Sequence, residues 1–114
     1  MNPGFGRIVY PVKDLQRAKA LYSRLLGAEP YFENPYYAGF KAGDQEIGLD
    51  PNGHKAGMTG PLPYCRVADI KATLQALLAA GAQTEQAVKD VGGGRLTATV
   101  KDADGNVIGL MQNG

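Results

Sequence analysis

Few side chains in this sequence could carry acid–base or covalent chemistry, and their spacing narrows the options. There is one histidine, His54, in a glycine-rich stretch, and one cysteine, Cys65. Ser-His-Asp or Cys-His catalysis would rest on His54 alone, which disfavours nucleophilic catalysis of that kind. Cys65 alternates toward the helix-facing side of its strand and has no base near it in sequence, the pattern of an inert buried thiol. A single cysteine also excludes an intramolecular disulfide and any multi-thiolate metal site. Glu46 and Asp50 share one strand face, because alternate residues point the same way. Gly92, Gly93 and Gly94 lack a following helix and a Lys-Ser or Lys-Thr pair, so they read as a hairpin rather than a phosphate cradle. Tyr31, Phe32, Tyr36, Tyr37 and Phe40 could stack a planar ligand, but residues of this kind in strands more commonly pack as core or interface.

The elements that must position these groups come in two similar sets. Val12-Lys13-Asp14-Leu15 returns as Val67-Ala68-Asp69-Ile70, and Leu25-Leu26-Gly27-Ala28 as Ala79-Ala80-Gly81-Ala82. Glu46-Ile47-Gly48-Leu49 is answered by Val107-Ile108-Gly109-Leu110. In the first set, Arg7 to Val12 reads as a strand and Asp14 to Leu26 as a helix. Leu15, Ala18, Leu21, Tyr22, Leu25 and Leu26 are expected on its apolar face. Asp14 is a suitable N-cap, and Gly27 can take the left-handed conformation that ends the helix. Strands follow at Glu29 to Asn34, Tyr36 to Ala42 and Gln45 to Leu49. The second set repeats the order, with strand Leu62 to Val67, helix Asp69 to Ala80, and strands Gln83 to Val88, Arg95 to Lys101 and Val107 to Gln112.

The expected class is α+β, two βαβββ modules forming a paired, cup-shaped mixed sheet. A module of roughly 55 residues is marginal alone, so a single domain over residues 1–114 is expected, with modules at 5–50 and 61–114 and a cleft between equivalent surfaces. The joining loop, 51–60, is rich in Gly and Pro and is expected to have freedom to close over that cleft.

Composition removes several partners. The chain has 114 residues, 44% of them hydrophobic, and twelve Lys and Arg against eleven Asp and Glu leave a net charge of +1. That balance offers no field for a polyanion, so no nucleic-acid partner is expected. No apolar run reaches the 18 or so residues that span a bilayer, and the N-terminus resembles no secretory signal, so no membrane partner and a cytoplasmic location are expected.

The βαβββ pairs, with Val12-Lys13-Asp14-Leu15, the helix Arg17 to Tyr22 running to Gly27, and Asp102-Ala103-Asp104-Gly105-Asn106 before the last strand, resemble the vicinal oxygen chelate superfamily. That superfamily includes glyoxalase I, extradiol dioxygenases, fosfomycin-resistance enzymes and bleomycin-resistance proteins. The resemblance covers nearly the whole chain and implies the glyoxalase/bleomycin resistance/dioxygenase fold. Its enzymes generally hold a divalent metal in the cup. Carried over residue by residue, the metal-ligand positions fall on Arg7, Gly48, Leu62 and Gly109. A guanidinium has no lone pair to donate, and Gly and Leu carry no donor atom.

With those positions taken as inward, strand alternation lines the cup with Arg7 and Val9, with Glu46, Gly48 and Asp50, with Leu62, Tyr64 and Arg66, and with Gly109 and Met111. Gly48 and Gly109 are expected to leave floor space there. Such a pocket suits a small organic molecule with an anionic or hydrogen-bonding group. Alternatively, Arg7 and Arg66 pair with Glu46 and Asp50 and fill the cup. Two functions follow from the resemblance: a metal-free small-molecule-binding protein with no cofactor, or a glyoxalase-like lyase or isomerase, or dioxygenase-related enzyme. The enzyme would use a divalent metal displaced to Glu46, Asp50 and His54, or an Arg and Tyr64 acid–base pair. The resemblance also implies a homodimer.

Overall fold

The computed structural model describes residues 4–114. The chain divides into two compact units, one of residues Gly6–Leu62 and the other of Pro63–Gly114 together with Gly4 and Phe5. Both follow the expected βαβββ order: β1 (Phe5–Pro11), α1 (Leu15–Leu26), β2 (Phe32–Asn34), β3 (Tyr37–Ala42) and β4 (Gln45–Asp50), then β5 (Leu62–Arg66), α2 (Ile70–Ala79), β6 (Gln83–Asp90), β7 (Leu96–Lys101) and β8 (Val107–Gln112).

In the first unit the strand order is β2-β3-β4-β1. β1 and β4 run parallel, with Arg7 opposite Glu46 and Val9 opposite Gly48. β3 runs antiparallel to β4, with Gly39 opposite Gly48 and Lys41 opposite Glu46. Parallel neighbours cannot be joined by a tight turn, so α1 and the β2–β3 hairpin fill the path between β1 and β4. Asp14 caps α1 by accepting from the Arg17 N–H at 3.0 Å. Gly27, at φ 67°, closes the helix by donating to the Ser23 carbonyl.

The core of this unit is Ala38, Phe40, Ile47 and Leu49, against which Tyr10, Val12, Leu15, Ala18, Tyr22 and Leu26 pack. Phe40 and Leu49 are fully buried, each contributing roughly 1.5–3 kcal/mol of transfer free energy. Leu21 and Leu25 do not join them, being 65% and 73% exposed. At about 100° per residue, Leu25 and Leu21 fall roughly 20° and 60° beyond Ala18, at one edge of the arc formed by residues 15, 18, 22 and 26. β2 is also shorter than expected. After Gly27 the chain passes through Pro30, and Tyr31 already donates its N–H to Gly39 O outside the strand.

The 51–60 segment is wound into turns. Ala56 N donates to Asn52 O, Gly57 N to His54 O and Met58 N to Gly53 O, while Asp50 O accepts from both Val12 N and Gly53 N. Gly53 is buried there: a Cβ on it would stand 2.7 Å from Pro11 Cβ and 2.9 Å from Met58 Sδ. The freedom expected of this segment gives way to a hydrogen-bonded knot seated on the end of β1.

In the second unit the order is β5-β8-β7-β6. β5 and β8 are parallel, with Tyr64 opposite Gly109 and Arg66 opposite Met111. Asp69 caps α2 through the Ala72 N–H, and fully buried Ile70 donates its N–H to Gln112 Oε1 at 2.7 Å, tying the helix start to the end of β8. Val67, Ile70, Ala98 and Leu110 form the core, with Cys65 packed against it as alternation requires. β6 is polar and has irregular register against β7, features that blunt an edge strand against further pairing. Gly92, Gly93 and Gly94 turn the β6–β7 hairpin with φ of 117°, 62° and 78°.

Candidate functional site

Alternation in the first unit sends Tyr10 of β1 and Val12 just beyond it, Ile47 and Leu49 of β4, and Ala38 and Phe40 of β3 to the α1 side. The opposite face is therefore left to Arg7, Val9 and Pro11, to Glu46, Gly48 and Asp50, and to Tyr37, Gly39 and Lys41. Arg7 and Glu46, register partners on parallel strands, form an ion pair: Arg7 Nη2 donates to Glu46 Oε2 at 3.2 Å, with the side chains 16% and 18% exposed. Tyr31 Oη donates to the same Glu46 oxygen at 2.9 Å. The Arg7 guanidinium stands 5.9 Å from the centre of the Tyr37 ring, and Lys41 Nζ 4.6 Å from that of Tyr31. Arg7 Nε is buried without a hydrogen-bond partner.

This arrangement shifts the titration of its members. Burial works against the Arg7 charge, but Tyr37, Glu46 and Tyr31 outweigh it and hold the guanidinium above its ordinary value. Burial raises Tyr37, and Arg7 only partly opposes it. Burial and the hydrogen bond to Glu46 raise Tyr31. Both phenols therefore hold their protons to higher pH than a free tyrosine does, and Tyr31 donates its own to Glu46.

The floor space expected above Gly48 and Gly109 is occupied. The Tyr37 hydroxyl points at the Gly48 backbone, and a Cβ on Gly48 would lie 2.7 Å from Tyr37 Cζ. In the second unit the Tyr64 ring covers Gly109 in the same way, 2.6 Å from Cε1 to such a Cβ. Absence of a side chain creates a hollow only if no neighbour fills it, and in each unit a tyrosine from the adjoining strand does so.

The remaining expected residues are placed as follows. Asp50 is half-buried, and its Oδ1 accepts from the Asn52 N–H at 2.8 Å. Val9 is 8% exposed beside Gly48, Leu62 opens β5 at 9%, and Met111 on β8 is 2% exposed. Arg66 is half-buried on β5. Tyr31 and Tyr37 were legible only as part of an aromatic cluster. That cluster separates into buried Phe40, half-buried Tyr37, and exposed Tyr31, Phe32 and Tyr36. The available signal was alternation along β3, which puts Tyr37 two residues from Gly39 and four from Lys41, on the face of Glu46.

The donor chemistry does not fit a resident divalent metal. The carried-over positions hold a guanidinium, two glycines and a leucine. Glu46 is engaged by Arg7 and Tyr31, and His54 is exposed on the turn segment. Among the described residues no group of three His, Cys, Asp or Glu side chains could hold an ion.

The chain matches the family model of the Glyoxalase/Bleomycin resistance protein/Dioxygenase superfamily over residues 4–110, and it belongs to that superfamily. No curated protein matches it. Among solved structures it is similar to methylmalonyl-CoA epimerase from Mycobacterium tuberculosis, at 20% identity and a TM-score of 0.77, covering 99% of this chain and 89% of that one. It is also similar to a superfamily member from Vibrio splendidus 12B01, at 18% identity and TM-score 0.72, covering 92% and 94%. A third is the Mn(II)-bound glyoxalase from Novosphingobium aromaticivorans, at 20% and 0.73, covering 98% of this chain and 39% of that one. At these identities the likeness is one of fold, and activity has to be argued from the site.

Proposed function

We propose that this superfamily member binds a small organic molecule carrying an anionic or hydrogen-bonding group, at the face formed by Arg7, Tyr31, Tyr37 and Glu46, without a resident metal. The observation that carries this reading is the buried, unpartnered Arg7 Nε among otherwise engaged groups. A buried donor without an acceptor costs about 1–3 kcal/mol, a cost that a ligand acceptor removes. Superfamily resemblance extends the proposal to a homodimer, and the proposed location is cytoplasmic. Among the described residues no helix is long and apolar enough to cross a membrane.

The competing reading is a glyoxalase-like lyase or isomerase with a metal displaced to Glu46, Asp50 and His54. Metal content of tag-free protein by plasma mass spectrometry, with thermal shifts on adding Ni(II), Zn(II), Fe(II) and Mn(II), separates the two, since anything that binds only the folded state raises its melting temperature. The binding reading expects no stoichiometric metal and no metal-induced shift, but a shift with members of an organic-acid library. Stoichiometric metal overturns it. Size-exclusion chromatography with light scattering tests the dimer.

A further inference from the structure

Gly39 and Gly48 are directly opposite one another on β3 and β4, so that stretch of the face has no side chains of its own. Two tyrosine rings cover it, and they are held differently. Tyr31 is fixed by its N–H to Gly39 O at 2.9 Å, by its hydroxyl on Glu46 and by Lys41 over its ring. A Cβ on Gly39 would meet its Cε1 at 3.2 Å. Tyr37 is bordered by Arg7 and by the tilted ring of Phe32, centroids 6.4 Å apart, and Phe32 is itself 50% exposed. The Arg7 guanidinium that borders the Tyr37 ring has its Nε buried and unpartnered.

The Tyr37 phenol ring therefore occupies the space over Gly48, beside a guanidinium with an unused donor. Nε–H and the adjacent Nη–H of an arginine form an edge that matches the two oxygens of a carboxylate, and charge-assisted bonds of this kind are roughly twice as strong as neutral ones. Arg7 and Lys41 on this face are balanced by Glu46 and Asp50, so attraction to an anion is local to the Arg7 edge rather than a long-range field.

We propose that the face takes an aromatic carboxylate, its ring in the seat over Gly48 and its carboxylate on Arg7 Nε, with Tyr37 acting as a plug that swings outward to admit it. This rests on the reading of the face as a small-molecule site and adds the ligand class and the moving residue. No bond is made or broken; the carboxylate shares Arg7 with Glu46, and Tyr37 exchanges its contact with Gly48 for solvent.

The test is titration of the whole chain with benzoate and with benzamide, which keeps the ring but lacks the charge, followed by calorimetry and by the NMR signal of Arg7 Nε–H. Benzoate is expected to move that signal and to bind about tenfold more tightly than benzamide. Arg7→Lys keeps a cation opposite Glu46, so it preserves folding, and is expected to weaken benzoate by about tenfold or more. Tyr37→Ala is expected to tighten it severalfold, because no plug has to be displaced. Equal affinity for benzamide, or an unmoved Nε–H signal at saturating benzoate, overturns the ligand class. Weaker binding by Tyr37→Ala makes Tyr37 a wall and overturns the plug. If benzoate fails while another compound moves the Arg7 signal, only this inference falls; if no compound in an organic-acid library moves it, the small-molecule reading falls with it.

Discussion

The Tyr37 ring lies on the Gly48 backbone so closely that a single methyl group on residue 48 would stand 2.7 Å from Tyr37 Cζ. Glycine at 48 is thus the condition for where Tyr37 sits, and Tyr37 in turn shields one side of the Arg7 guanidinium. The same relation joins Tyr64 to Gly109 through a different pair of strands.

Gly48→Ala is accordingly expected to destabilise the protein by about 1–3 kcal/mol through overpacking, read by urea denaturation. Combined with Tyr37→Ala the loss should be less than additive, with a coupling of about 0.5–3 kcal/mol. Additive losses would mean that the clash is relieved elsewhere.

Removing one member of the Arg7–Glu46 pair leaves a charge in a largely enclosed place. Glu46→Gln is expected to cost about 3 kcal/mol. The double replacement Arg7→Met with Glu46→Leu should recover most of this, since well-packed apolar residues often match a buried ion pair. Denaturation midpoints of the three variants decide it, and a double variant no better than Glu46→Gln contradicts the expectation.

Tyr37 has its folded-state pKa raised above the ordinary 10.0, first by burial. A phenol of this kind contributes stability that is complete below its unfolded value and lost as pH rises through the folded one. Stability should therefore fall as pH rises beyond about 10. Tyr37→Phe should shallow that decline without abolishing it, because Tyr31 is shifted in the same direction. An unchanged alkaline slope in the variant would contradict the assignment.

Leu21→Lys and Leu25→Lys should change monomer stability by no more than about 0.5 kcal/mol, whereas Leu49→Ala should cost about 2–5 kcal/mol. A loss in the lysine variants that grows with protein concentration would instead place these leucines in a dimer contact. Light scattering on the same samples separates the two outcomes.

Much of the fold could be read from local pattern. Asp14 caps α1 as expected, and Gly27 closes it in the left-handed conformation. Period-two alternation correctly sends Ile47 and Leu49 to the core and Glu46 to the other face. These features depend on a residue and its near neighbours, which is why they are written in the sequence directly. Leu21 and Leu25 were misplaced for a related reason: a wide apolar arc on a helix does not say how much of it the sheet will cover.

What surrounds Arg7 was decided only by the tertiary structure. Tyr31, Tyr37, Gly39, Glu46 and Gly48 meet through strand register and the lateral order β3-β4-β1, which no local pattern encodes. By itself the sequence determined that residues 48 and 109 would bear no side chain and that the fold would repeat a βαβββ module. Which side chains would then fill those two places, and leave Arg7 Nε buried without an acceptor, was settled only when non-local strands packed, because close packing assigns empty volume to whichever neighbour register brings alongside.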